Sequence, residues 1–206
     1  MFDSSGPLAV HSLTEAMLYL MLVPCRACSG ALLPRLELNN AAASAEVLVV
    51  PVACRTCGLE DRLRFDLRRV DPGEASGGWA AWAGMAESGS APAISGADEP
   101  SRVIDVAGWL TLYARLTDAA SAKSDQAASA VDRVMVRQLQ IHAGQCIEEA
   151  LKFYDADNDL PPEDAFFTEA GRRQFRERPD LFLRGRLVSL RVASPIARDA
   201  GGGDPA

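Results

Sequence analysis

Histidine is nearly absent from this 206-residue chain, which carries only His11 and His142. A Ser-His or Cys-His catalytic pair therefore has little to draw on. The P-loop and the dinucleotide-binding glycine pattern are also missing, so neither common phosphate-cradling signature offers a lead. Five cysteines are too few to make a disulfide scaffold in a chain of this size. The apolar run Ala16–Val23 is too short to span a bilayer. It is preceded by Asp3 and Glu15 rather than by Lys or Arg, and Val23-Pro24-Cys25 does not read as a cleavage site, so a signal peptide is not expected. The net charge of −7 argues on average against bulk binding to nucleic acid or an anionic membrane. No internal repeat is visible. These absences lead to the expectation of a cytoplasmic, reduced, non-enzymatic protein with no catalytic residues, working with a protein partner and not at a membrane.

What is present starts with four of the five cysteines. Cys25-Arg-Ala-Cys28 and Cys54-Arg-Thr-Cys57-Gly58 are two Cys-x-x-Cys pairs at a spacing that can place four thiolates at the corners of a tetrahedron. The two-residue spacer lets the backbone turn so that both sulfurs of a pair reach one ion. Four thiolates leave no open position for water, so Cys25, Cys28, Cys54 and Cys57 are expected to hold one structural Zn²⁺. The alternative chemistry, a redox dithiol, normally uses a single pair that opens a helix after a strand. Here both pairs sit in Pro/Gly-flanked turns.

Leu32–Leu38 and Glu46–Val52 read as short strands between the pairs. After the second pair, Leu63, Phe65 and Leu67 alternate with Arg62, Arg64, Asp66 and Arg68, the period of a half-buried strand. Knuckle, hairpin, knuckle, third strand resembles the zinc-ribbon family over residues 24–70. The resemblance implies a three-stranded antiparallel sheet held by zinc, and a nucleic-acid-binding role as the alternative to a protein adaptor. Ser29 departs from the family pattern, which often has glycine directly after the second cysteine.

The rest of the chain is expected to be helical, giving an α+β protein. Ser12-Leu-Thr-Glu15 has capping-box spacing and predicts a helix to Val23, stopped by Pro24 and packed in the core. Residues 1–70 then form the helix and ribbon. Residues 71–100, with 21 of 30 positions Gly, Ala, Ser or Pro, form a linker in which Trp79 and Trp82 stand out. Residues 101–198 form an all-α domain, and 199–206 a disordered tail. Periodicity predicts one helix from about Asp105 to Thr117-Asp118. A second is predicted over 125–154 with the stripe Val131, Met135, Leu139, His142, Cys146, Ala150 and Phe153. A third is capped by Thr168, and a last one runs over about 181–192.

Three weaker constellations compete with simpler readings. Asp155-x-Asp157-x-Asp159 starts like an EF-hand loop, but Leu160 and Phe166 occupy the positions that need Gly and Glu, so a solvated acidic turn is expected. His142 and Cys146 share a helix face and read as core residues. From Thr168 to Arg198 there are eight arginines against three acids, next to an acidic block at 148–164. Pairing of the two blocks across the bundle is the expectation. Phosphate binding by Arg172, Arg173, Arg176, Arg184 and Arg186, joined by Arg62, Arg64 and Arg68, is the alternative.

Overall fold

The computed structural model describes residues 6–35, 46–71, 93–127 and 129–193. Trp79, Trp82, most of the glycine-rich stretch, residues 36–38 of the first expected strand and the 199–206 tail lie outside the described residues. The chain divides into two units. The first is Met1–Glu87 with Ile94–Gly96, and the second is Ser88–Ala93 with Ala97–Ala206.

In the first unit a short strand β1 (Leu8–Ala9) leads into helix α1 (Leu13–Leu22). Ser12 caps α1 by accepting the Glu15 N–H at 2.9 Å, as the Ser-x-x-Glu spacing predicts. The reciprocal bond lands one residue early, because the Glu15 carboxylate accepts the His11 N–H and not that of Ser12. The helix is buried almost all round, through Leu13, Thr14, Glu15, Ala16, Leu18, Tyr19 and Leu20. A helix with so little polar surface must be covered on most sides to be stable. Part of that cover is Ile94, 1% exposed, whose carbonyl accepts the Ser12 hydroxyl.

Strands β2 (Leu32–Pro34), β3 (Val47–Cys54) and β4 (Glu60–Asp66) complete the sheet, in spatial order β1-β4-β3-β2. Side chains on β3 alternate between half-buried and buried, with Leu48, Val50, Val52 and Cys54 facing inward. The register sets Leu48 opposite Phe65 and Val50 opposite Leu63, so the inner face is continuous across the two strands. Tyr19 of α1 meets Phe65 edge to face at 6.1 Å, which ties helix to sheet. Arg62 and Arg64 project from the other face and are exposed.

The three-stranded antiparallel ribbon needs a correction. β2, β3 and β4 pair antiparallel, but β1 adds to β4 in parallel, giving a mixed four-stranded sheet. A two-residue strand is too short to show a period, and Leu8-Ala9-Val10 carries no alternation to reveal it. Parallel pairing follows from the chain's path, since β1 runs directly into α1, which packs on the sheet before the knuckles begin.

The second unit is all helical among the described residues. α2 (Val106–Ser124) runs farther than periodicity suggested, through a polar last turn. α3 (Ala130–Leu151) starts later, at a full capping box between Ser129 and Asp132. The two pack together as a helical hairpin whose core holds Trp109, Leu112 and Leu116 from α2 with Val136, Cys146, Ile147 and Ala150 from α3. Val131 and Met135, placed on the buried stripe by spacing, are exposed at 71% and 44%. The first turns of α3 turn their apolar residues to solvent.

α4 (Glu169–Glu177) and α5 (Arg184–Ala193) are separated by a 3₁₀ turn at Pro179–Phe182. The rings of Phe166, Phe175 and Phe182 pack together at centroid distances of 4.3, 4.9 and 5.8 Å, anchoring the segment. Asp105 joins two helix starts. Its carboxylate caps α2 by accepting the Gly108 N–H, and it also accepts the N–H and hydroxyl of Thr168, the residue that caps α4.

Candidate metal centre

The first knuckle is the turn between Pro24 and Ala31, which form an isolated bridge. The second links the end of β3 to β4. Both turns close in the same way. Ser29 N–H donates to the Cys25 carbonyl and Cys25 N–H to the Gly30 carbonyl; Gly58 N–H donates to the Cys54 carbonyl and Cys54 N–H to the Leu59 carbonyl. Within each loop a backbone N–H points at the first sulfur: Ala27 to Cys25 Sγ and Thr56 to Cys54 Sγ, both at 3.4 Å. Arg55 N–H donates to the Ala31 carbonyl and joins the knuckles.

This arrangement brings all four sulfurs together. Cys25 Sγ lies 3.7 Å from Cys57 Sγ, Cys28 Sγ lies 3.4 Å from Cys54 Sγ, and all four are within 4.8 Å of one another. A tetrahedral site with metal–sulfur arms of about 2.3 Å has edges of about 3.8 Å, so the quartet has the size of a Zn²⁺-type thiolate cage. The first cysteine of each pair is buried and the second exposed, which puts the centre at the rim of the unit. Donation from the Cys57 N–H, helped by that of Thr56, draws Cys54 down to about 6. The Gly30 N–H lowers Cys28, but the neighbouring thiols of Cys54 and Cys57 outweigh it and push Cys28 up to about 12. Cys54 and Cys28 are thus driven in opposite directions, a tension that a divalent cation would relieve by taking both as thiolates.

Ser29 shows how the first knuckle manages without the usual glycine. Its φ is +58°, beside +71° at Gly58, so both positions adopt the same left-handed turn. The glycine that follows Ser29 is needed for a different reason. A Cβ on Gly30 would sit 2.5 Å from Thr56 Oγ1 and 3.1 Å from Cys54 Sγ, so only a bare backbone fits between the knuckles. A serine held left-handed costs about 1–2 kcal/mol relative to a relaxed residue, and the extra freedom of glycine in the unfolded chain offsets part of the gain from replacing it. Ser29→Gly is therefore expected to raise the thermal midpoint of the first unit slightly without changing its metal content. A lowered midpoint would show that the serine side chain has a stabilising role of its own.

The other residues singled out in the sequence do not assemble. Among the described residues the cysteine quartet is the only group of three or more His, Cys, Asp or Glu side chains that can close on one ion. Cys146 is fully buried, and burial pushes its thiol upward, as for an inert core cysteine. Asp155, Asp157 and Asp159 form an exposed turn. Arg184 does reach that turn, but through backbone: its guanidinium donates to the carbonyls of Asp155 and Ala156 at 3.1 and 2.6 Å. Arg172 likewise donates to the carbonyls of Phe166 and Phe167, and Arg178 pairs locally with Asp180 at 3.0 Å. Among the described residues no ion pair joins the two blocks, and Arg172 and Arg184 instead cap carbonyls, acceptors that side-chain charge does not reveal. The contribution of Gly30 also escaped sequence reading, since a close approach of two knuckles leaves no period to detect.

No helix among the described residues is long and apolar enough to cross a membrane. No protein-family model matches the chain, and neither does any curated protein or solved structure. The four-cysteine cluster is compatible with a zinc-ribbon-like centre.

Proposed function

We propose that this chain is a structural-zinc protein whose N-terminal unit folds around one Zn²⁺ held by Cys25, Cys28, Cys54 and Cys57, and that it works as a non-enzymatic interaction protein. The observation that carries the reading is the convergence of four sulfurs at cage dimensions from two knuckles of the same design. Four protein thiolates fill a tetrahedral ion's coordination shell, so the metal contributes stability and not substrate chemistry. The two N–H···S contacts orient the sulfurs, the supporting role that outer-shell donors have around such ions. Zinc is preferred over other divalent ions because soft thiolates in a tetrahedral set suit it, and because it has no redox chemistry to disturb them.

The test is elemental analysis of the full chain purified without added metal, together with thiol counting. About one zinc per chain is expected, with the thiols of Cys25, Cys28, Cys54 and Cys57 protected from alkylation until the metal is chelated. Iron in place of zinc would overturn the metal assignment, and a metal-free protein with two disulfides would overturn the centre itself.

A further inference from the structure

Three arginines of α4 form no ion pair among the described residues, although Glu169 and Glu177 lie on the same helix. Arg172, Arg173 and Arg176 are all exposed on this nine-residue helix, at the i, i+1, i+4 spacing that gathers side chains on one face. None of the three has a carboxylate partner among the described residues. Only Arg172 is engaged at all, and its partners are the carbonyls of Phe166 and Phe167. Those bonds hold its guanidinium against the backbone of Phe167, a residue 38% exposed immediately before the Thr168 cap. The platform beneath is rigid. Phe166 stacks on Phe175 at 4.3 Å, and Thr168 is bonded to the buried Asp105. The result is an exposed aromatic residue just before a helix that carries three exposed arginines without an ion pair among the described residues.

We propose that Phe167, Arg172, Arg173 and Arg176 form a binding surface for single-stranded nucleic acid. Guanidinium groups on a helix face meet the backbone phosphates, and the Phe167 ring offers a face on which an unpaired base stacks. Base–aromatic stacking combined with a basic track is the chemistry by which single strands are held without sequence readout. A duplex hides its base faces from such a ring. An acidic peptide would satisfy the arginines but has no use for the ring. The overall charge of −7 does not oppose this locally, because 168–198 carries eight arginines against three acids. The surface lies wholly in the second unit and stands independently of the metal centre.

The test is fluorescence anisotropy with labelled oligo(dT) and oligo(U) 12-mers, using the full-length zinc-bound chain at low and physiological salt. Three neutralised phosphates predict a log–log salt slope of about −2 on a single strand. Arg173→Gln/Arg176→Gln removes two guanidiniums that make no internal bond, so the fold is retained, and the slope is expected to fall by about 1.4 units. Phe167→Ala is expected to weaken binding roughly tenfold while leaving the slope in place, whereas Phe167→Tyr retains affinity. Zinc stoichiometry stays constant in all variants, which separates failure here from failure of the metal reading. Three results would each overturn the proposal: no binding at low salt, displacement by poly-glutamate as effective as by unlabelled oligonucleotide, or tighter binding to the matching duplex. Unchanged affinity in Phe167→Ala would overturn the stacking role and with it the preference for single strands.

Discussion

Cys54→Ser is expected to release the metal and unfold the first unit while the helical unit keeps its structure. Cys54 is 3% exposed, ends β3, accepts the Thr56 N–H and lies 3.4 Å from Cys28 Sγ, so its sulfur belongs to both the knuckle and the cage. Serine at this position offers a hard, largely protonated oxygen in place of a thiolate. The apparent free energy of zinc binding in small structural sites is about 10–16 kcal/mol at neutral pH, comparable with the entire stability of a typical domain. Losing most of it leaves a sheet of short strands and one helix to fold on their own hydrophobic contacts, which is marginal at this size. Zinc should drop from about one per chain to near zero. Trypsin should then cut at Arg26, Arg35 and Arg55 while the α2–α3 hairpin resists. Chelation of the wild-type chain should reproduce the same cleavage pattern. A Cys54→Ser protein that retains a full zinc equivalent and resists trypsin would show that the quartet is not the metal site.

Asp105→Ala should cause the largest loss in the second unit, about 3 kcal/mol. Two costs add. Removing an N-cap carboxylate typically costs about 1 kcal/mol, and leaving the partly buried Thr168 N–H and hydroxyl without their acceptor costs about 1–3 kcal/mol more. For a unit of this size that corresponds to a fall in thermal midpoint of roughly 10–20 °C. Asp105→Asn keeps an acceptor oxygen and should lose less than half as much. Gly171 supplies an internal control. A Cβ there would run into the Asp105 carboxylate and sit 2.9 Å from Thr168 Oγ1. Gly171→Ala should therefore be costly in the wild type and nearly neutral when Asp105 is already alanine. Additive losses in the double variant would mean that the cost of a Cβ at Gly171 does not come from the Asp105 carboxylate.

Legibility in the sequence followed the range of the interaction. The four cysteines were readable because metal chemistry ties ligand type to spacing, and the caps at Ser12 and Thr168 were readable because a cap acts within three residues. Ser129-Ala-Val-Asp132 carries the same kind of signal and sets the start of α3 beyond Asp125. The stripe through Val131 and Met135 failed for a different cause. Spacing shows which side chains share a face but not how far along the helix a partner covers that face. β1 was too short to have a period. The link from Asp105 to Thr168 spans 63 positions and depends on how helices assemble, which no local pattern encodes.

Ile94 has a practical implication for dissecting the chain. An expression fragment cut at residue 70 would retain α1 and the whole cysteine cage but would lack the side chain that shields the helix and the carbonyl that receives the Ser12 hydroxyl. Such a fragment exposes a greasy helical flank and leaves its cap without one of its bonds. Poor solubility of that piece would then say nothing about the cage. The shortest piece that keeps the N-terminal unit whole ends after Gly96.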